Sequence, residues 1–406
     1  MLNVNRWWIV AASFSALLVG SGVVNIFATG VFLVPVTQEL GISRGDYTFG
    51  LLVNGILTAI AVFIYGWLYD RYGVRKILLP GVLLCALATY LYSQMSPNLT
   101  ALYLIFGFAG LVGGAQTPMG YTTVINQWFD RQRGLALGIA TAGVGFGVVF
   151  VPQLVTKLMV GYGWRGAYIG IAIAILILAF LPALLFIRNP PSVESQGKVS
   201  TDHLPGMAAS EAFGSWRFWA LTASFFVAVM AINGTITNLV PLLRDRGVAP
   251  QDAVGALSFA GGAIVLGRMI AGWFLDRVWG SYVAVIFFGL SLIGIGLLAS
   301  GATGPVALLG AALCGAGVGA EIDLMGYLMS RYFGLKNFGK IYGLMFVFFN
   351  VGTGLGPYLS GMTFDKYKSY TPILTGYMVA LAIVCAVLLT LGPYLFKPGE
   401  DQSGAK

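Results

Sequence analysis

One kind of segment, repeated, constrains this chain more than anything else in it. Twelve long apolar runs follow one another with short polar loops between them, at approximately 7–35, 47–67, 77–95, 99–128, 134–158, 164–187, 216–243, 252–274, 282–300, 304–330, 338–362 and 371–396. About 20 apolar residues in a helix cross the roughly 30 Å hydrocarbon core of a bilayer, and a helix satisfies its own backbone in lipid. The expected fold class is an all-α polytopic membrane protein with twelve transmembrane helices. The charge content agrees, since only 9% of residues are charged against about a quarter in a soluble domain. The first run, from Trp7 to Pro35, is too long for a signal-peptide core and is expected to be retained.

An even number of crossings puts both termini on one side. With loops assigned alternately, 15 Lys and Arg residues fall on the side of the termini and 7 on the other. The positive-inside rule then makes both termini cytoplasmic, in a cell (inner or plasma) membrane. Topology therefore accounts for the net charge of +8. No basic patch is interleaved with aromatics, and no nucleic-acid partner is expected. Cys85, Cys314 and Cys385 lie in three separate runs without metal-ligand spacing and are expected to be free thiols. The twelve segments hold no histidine and no nucleophile–base pair, so an enzyme, a metal and a cofactor are not expected.

Residues 188–215 are rich in Pro, Ser, Gly and charge and contain the single histidine, His203. They read as a cytoplasmic linker between an N-terminal six-helix half, 1–187, and a C-terminal one, 216–406. The halves repeat. VPVTQELGISRGD at Val34 to Asp46 aligns with VPLLRDRGVAPQD at Val240 to Asp252, and GWLYDR at Gly66 to Arg71 with GWFLDR at Gly272 to Arg277. GAQTPMGY and GAEIDLMGY mark the fourth and tenth segments with a short slip. Such duplications suit alternating access, in which the halves rock about a midplane site.

Inside the eighth segment stands one arginine, Arg268. Eight helical residues before the polar stop at Asp276 correspond to about 12 Å, which places it near the membrane midplane. A guanidinium there costs about 3 kcal/mol or more and is by default functional.

The loop GWLYDRYGVRK, Gly66 to Lys76, sets Asp70 and Arg71 at a helix end with Arg75 and Lys76 beyond. It closely resembles the signature loop of the major facilitator superfamily of transporters, and the second copy keeps Gly272, Asp276 and Arg277. Asp70, Arg71, Arg75, Asp276 and Arg277 are accordingly expected to gate. Within that superfamily, NQWFDRQRGLALGI at Asn126 to Ile139, GWRGAY at Gly163 to Tyr168 and the Arg268 helix resemble the monocarboxylate-porter and oxalate/formate-exchanger branch. The resemblance implies that Arg268 is the partner of the substrate carboxylate. The chain departs from the branch at Ile264, where animal carriers have an aspartate. It also lacks a cation in the first helix and a lysine between Leu344 and Phe364. One buried cation fits a monoanion better than a dianion.

Glu321 and Asp323 are the remaining intramembrane charges, at the depth of Arg268. Two residues apart on a helix, they point about 200° apart, so one alone faces Arg268. The expectation is that Asp323 pairs with Arg268 across the cavity and Glu321 packs or gates, with the reverse assignment left open and proton coupling falling to one of the two. Polar residues near the midplane that suit substrate binding are Asn25, Gln116, Tyr121, Asn233, Tyr327 and Asn350, with Thr29 and Thr237 beside them. Each also has a plain structural reading, as an interhelical hydrogen bond.

The expected function is secondary transport of a small monocarboxylate, lactate- or pyruvate-like or an oxo- or aromatic acid, by proton symport or anion exchange in a monomer. Efflux of a cationic drug and exchange of a dicarboxylate are the alternatives.

Overall fold

A computed structural model describes residues 6–129, 132–188, 206–334 and 336–396. Eleven of its helices are long and apolar enough to cross a bilayer. They are Trp7–Leu40, Arg44–Tyr69, Val74–Tyr92, Leu99–Trp128, Arg133–Phe186, Trp216–Thr237, Pro250–Leu275, Gly280–Ala299, Gly304–Phe333, Phe338–Tyr367 and Thr371–Leu389. The fifth of these has 54 residues, about 80 Å if straight, more than twice the bilayer core. It is two crossings joined at Gly163, whose φ of +66° a side chain would resist. Counted as 133–162 and 164–186 they become the fifth and sixth helices, and the expected twelve are present. The twelfth stops at Leu389, short of the expected 396, because Gly392 at φ +71° and Pro393 cannot continue it.

Local chemistry sets the other ends. Ser43 and Asp46 form a capping box at the start of the second helix, with Ser43 Oγ accepting from the Asp46 amide at 2.9 Å, which satisfies donors the helix leaves free. Asn98 caps the fourth helix through the Ala101 amide at 3.2 Å. The left-handed Gly41 (φ +65°) closes the first.

Besides the sixth, which holds a π-helical stretch at Leu176–Phe180, three helices are broken within their spans. The first unwinds into a π-helical stretch at Val23–Ala28. The fourth passes through a 3₁₀ turn at Gly114–Gln116 and restarts at Pro118, since proline cannot donate to the preceding turn. The seventh ends at Thr237 and resumes as Leu239–Asp245. Irregular backbone at this depth is tolerated where it is buried in protein or lines a water-filled cavity.

The halves meet along the second and eleventh helices, the fifth and eighth, and the first and seventh. Small residues permit the approach: a Cβ on Gly354 would stand 2.7 Å from the Leu51 carbonyl oxygen. The last described part of the linker returns to the second half, where the Met207 amide donates to Phe333 O at 3.0 Å and Asn337 Nδ2 to Met207 O at 3.0 Å. His203 lies outside the described residues. The ends of the structure defined by this contact are called the linker face and, opposite it, the far face.

Candidate functional site

Arg268 and Asp323 form an ion pair, Nε to Oδ2 at 3.3 Å, and the same Nε donates to Gly319 O at 3.4 Å. Their side chains remain 27% and 41% exposed. Charged groups at this depth are expected to turn toward water rather than lipid, because lipid contact would cost several kcal/mol. The pair does not reach across the cavity as the sequence suggested. It links the eighth and tenth helices, neighbours in one half, where Gly267 lies against the Ala316 backbone and Gly319 against the amide of Arg268 itself. Glycines at the crossing bring the helices close enough for a guanidinium and a short carboxylate to meet side by side.

Glu321 is 2% exposed, and its Oε1 has no hydrogen-bond partner among the described residues. Gly317, one turn earlier on the same face, lies against Ser291 and Ile232 of the ninth and seventh helices. Glu321 therefore points into the interior of its own half and away from Arg268.

A cavity of about 170 Å³ lies between the halves. The three helix breaks supply Ser21, Asn25, Thr117 and Thr237 to its wall, and Asn54, Thr58, Asn350 and Thr353 add further hydroxyls and amides. Ile322, Phe346 and Phe349 make its apolar side. Asn25 Oδ1 accepts from Tyr92 OH at 3.1 Å, and Asn350 Nδ2 donates to Phe346 O at 2.8 Å. Along the eleventh helix the rings of Tyr342, Phe346 and Phe349 stack in series, with centroids 5.9 and 5.8 Å apart.

The far face is shut by contacts between the halves. Arg44, at the start of the second helix, binds Asp245 at the end of the seventh through two bonds, Nη1 to Oδ2 at 2.6 Å and Nη2 to Oδ1 at 2.8 Å. Nη1 also donates to Tyr370 OH at 2.8 Å, and the guanidinium lies 3.7 Å from the Phe364 ring centroid. Asp365 of the eleventh helix accepts from the Arg44 and Gly45 amides at 3.1 and 2.6 Å. A carboxylate from one half thus caps a helix of the other, where the helix dipole favours negative charge. Deeper in, Gln153 Nε2 of the fifth helix donates to Ser258 Oγ of the eighth at 3.0 Å.

Comparison with known proteins decides the family. The sequence profile of the Major Facilitator Superfamily matches residues 12–357 and 263–405. The chain belongs to the major facilitator superfamily. It is a multi-pass membrane transporter and not an enzyme. It is 26% identical to the uncharacterized MFS-type transporter YcxA of Bacillus subtilis over 98% of this chain and 97% of that one. It is 28% identical to monocarboxylate transporter 13 of Bos taurus, covering 96% of the chain and 90% of the relative. With the oxalate:formate antiporter of Oxalobacter formigenes it shares 27% identity over 75% and 72%. Among solved structures, a bacterial homolog of the human lysosomal transporter Spinster, inward-facing and unoccupied, superposes with a TM-score of 0.71 at 17% identity over 95% and 96% of the two chains.

In this transporter the residues expected from sequence to bind substrate separate into three groups. Asn25, Asn350 and Thr237 line the central cavity. Gln116 and Tyr121 are buried within the first half, at 1% and 0% exposure, and Asn233 within the second at 4%. Gln116 Nε2 donates to Val19 O at 3.4 Å, and Thr29 Oγ1 turns back onto Asn25 O at 2.8 Å. Tyr327 lies toward the linker face, its ring 4.8 Å below the Arg331 guanidinium and packed edge-on against Tyr394. Of the residues expected to gate, Arg71 stacks on Trp67 and Tyr72, and Arg277 lies 4.3 Å over Trp273 and donates to its carbonyl. Asp276 is exposed. Arg75 Nη2 donates to Leu184 O at 3.0 Å, and the side chain of Asp70 lies outside the described set. Sequence reasoning missed the Arg44, Asp245, Asp365 and Tyr370 cluster. Arg44 and Asp245 stand in the aligned stretches of the repeat, where loop charge reads as topology alone.

Proposed function

We propose that the protein carries a small monocarboxylate across the cytoplasmic membrane together with a proton, Arg268 binding the carboxylate and Asp323 serving as its resident counter-ion. The observation that carries this reading is the accessible Arg268–Asp323 pair. Guanidinium presents a fork that matches a carboxylate bidentately. An arriving monoanion displaces Asp323, and the freed aspartate, uncompensated at midplane, takes up a proton. The empty carrier then holds Arg⁺ and Asp⁻, and the loaded carrier holds Arg⁺, substrate⁻ and neutral Asp. Both are electroneutral at the site, so both can be occluded. A dianion would leave an excess negative charge, and a cation would compete with Arg268 for Asp323. The relatives named as a monocarboxylate transporter and an oxalate:formate antiporter support an organic acid as cargo.

The shut far face means that substrate enters this conformation from the linker face. With that face cytoplasmic, the side the distribution of cations favours, the conformation is inward-open. Glu321, turned into its own half, is assigned to packing.

The test is a thermal-shift series on purified wild type, Arg268→Ala and Arg268→Lys, with mono- and dicarboxylates beside cationic drugs. Binding to the folded state at a hundred times Kd stabilises by about 2.7 kcal/mol. Stabilisation by monocarboxylates in wild type alone is expected. Stabilisation of all three proteins by cations, with no effect of carboxylates, would sink the reading. In proteoliposomes Asp323→Asn is expected to lose proton-driven uptake and to retain exchange.

A further inference from the structure

We infer that the substrate is an aryl monocarboxylate with a hydroxyl or carbonyl at its far end, its carboxylate on Arg268 and its body extending into the cavity between Asn25 and Asn350. This rests on the carboxylate reading of Arg268 and adds the length, shape and polarity of what is attached.

Neither Arg268 nor Asp323 lines the cavity, whereas Ile322, next to Asp323, does, so the pair sits at its rim. From there the wall runs on to Asn25 and Asn54 of the other half. A two- or three-carbon acid held at the rim leaves part of that volume empty.

The walls say what would. None of the lining residues is charged, so the far end of the ligand is neutral. Hydroxyls and amides come from both halves, which suits an oxygen that donates or accepts. Phe346 and Phe349 stand in the cavity wall, and their rings stack in series with that of Tyr342, one turn nearer the linker face. Their parallel faces favour a flat apolar ring offset-stacked or edge-on against them. A volume of about 170 Å³ is below the range of drug-sized sites, which begins near 300 Å³, and suits one ring.

The experiment compares lactate, phenyl-lactate and 4-hydroxyphenyl-lactate as competitors of uptake in proteoliposomes and as stabilisers of the purified protein. Phenyl-lactate is expected to act at about tenfold lower concentration than lactate, and the hydroxyl to add about another fivefold, as hydrogen-bonding sites discriminate. Asn350→Leu and, as a milder variant, Asn350→Ser are expected to collapse the ratio between the hydroxylated and plain aryl acids to near one. Phe346→Ala is expected to reduce the ratio of aryl acid to lactate. Equal action of all three acids on wild type, or ratios unchanged in every variant, would overturn the inference and leave the carboxylate reading standing. If none of the three acts on wild type, the reading of Arg268 fails and the inference goes with it.

Discussion

The two halves share a sequence repeat, yet at matching positions they carry different chemistry. Arg268 aligns with Val62 at the offset of 206, and Glu321 in Gly-Ala-Glu aligns with Gln116 in Gly-Ala-Gln. Both members of the second pair are buried, and both leave an Oε1 without a partner among the described residues. At the far face Glu39 aligns with Asp245. Glu39 stays within its own half, bound to Arg165 and to Trp164 Nε1 at 2.7 Å, whereas Asp245 crosses to Arg44. Both halves thus contribute neutral polar groups and backbone breaks, whereas the intramembrane ion pair belongs to the second alone. Under the proposed function, that division lets a single ion pair change partners while the opposite wall stays neutral.

The largest effect is expected at the first pair. Arg268→Ala should weaken carboxylate binding by at least about a hundredfold, since two charge-assisted hydrogen bonds are lost, each worth about 1.5–3 kcal/mol. Adding Val62→Arg to that variant should not restore binding. It places a guanidinium in a half with no acid to meet it, at about 3 kcal/mol or more in the membrane, and should lower the yield of folded protein. Recovery of carboxylate-dependent stabilisation in the double variant would break the comparison, because the halves would then be interchangeable as anion sites.

The spans, the duplication and the three intramembrane charges were legible in the sequence because each is a departure from uniform apolarity. Where the wall of the cavity lies was much less so. Asn25 reaches it because the first helix unwinds at Val23–Ala28, while Gln116 and Tyr121, with the same composition signal, turn inward. Rotation of a helix about its axis follows from packing on neighbours far away in sequence, such as Gly110 against the Asn54 backbone. Apolar periodicity is weak when lipid covers one face and protein the other. Asp323 meets Arg268 for a similar reason, through glycines that mark a close crossing without showing which helices cross.

The next effect in size concerns the far face. Asp245→Asn removes a bidentate partner from an Arg44 whose side chain is only 12% exposed, a loss of about 1–2 kcal/mol, or about tenfold in the balance between far-closed and far-open states. Its repeat mate Glu39 is half-exposed, at 51%, as is its partner Arg165, at 44%. Glu39→Gln should therefore shift the same balance by less than about twofold. Labelling of Thr353→Cys by an impermeant thiol reagent from the far face, on a background without the three native cysteines, reads the balance directly. Equal labelling in the two variants would mean that the crossing ion pair does not hold the face shut.

The smallest effect, and the sharpest use of the repeat, is expected at Glu321. Glutamine already fills the matching site in the other half, buried and with an oxygen left unpaired, so Glu321→Gln keeps shape and polarity and should lower the melting temperature by no more than about 2 °C, the effect of less than about 1 kcal/mol in a unit of this size. The reverse change differs in sign of consequence. Gln116→Glu introduces an ionisable group where Ser21, Asn25, Thr89 and Tyr92 offer only neutral partners. It must be buried either charged or with the cost of holding a proton, several kcal/mol at neutral pH in the first case. Its melting temperature should fall by at least about 5 °C and should recover as pH is lowered, because protonation removes the charge. Proton-driven uptake should survive Glu321→Gln and be lost in Asp323→Asn. If Glu321→Gln instead abolishes uptake without altering stability, the coupling proton resides on the buried member of the pair, and the exposed ion pair only binds.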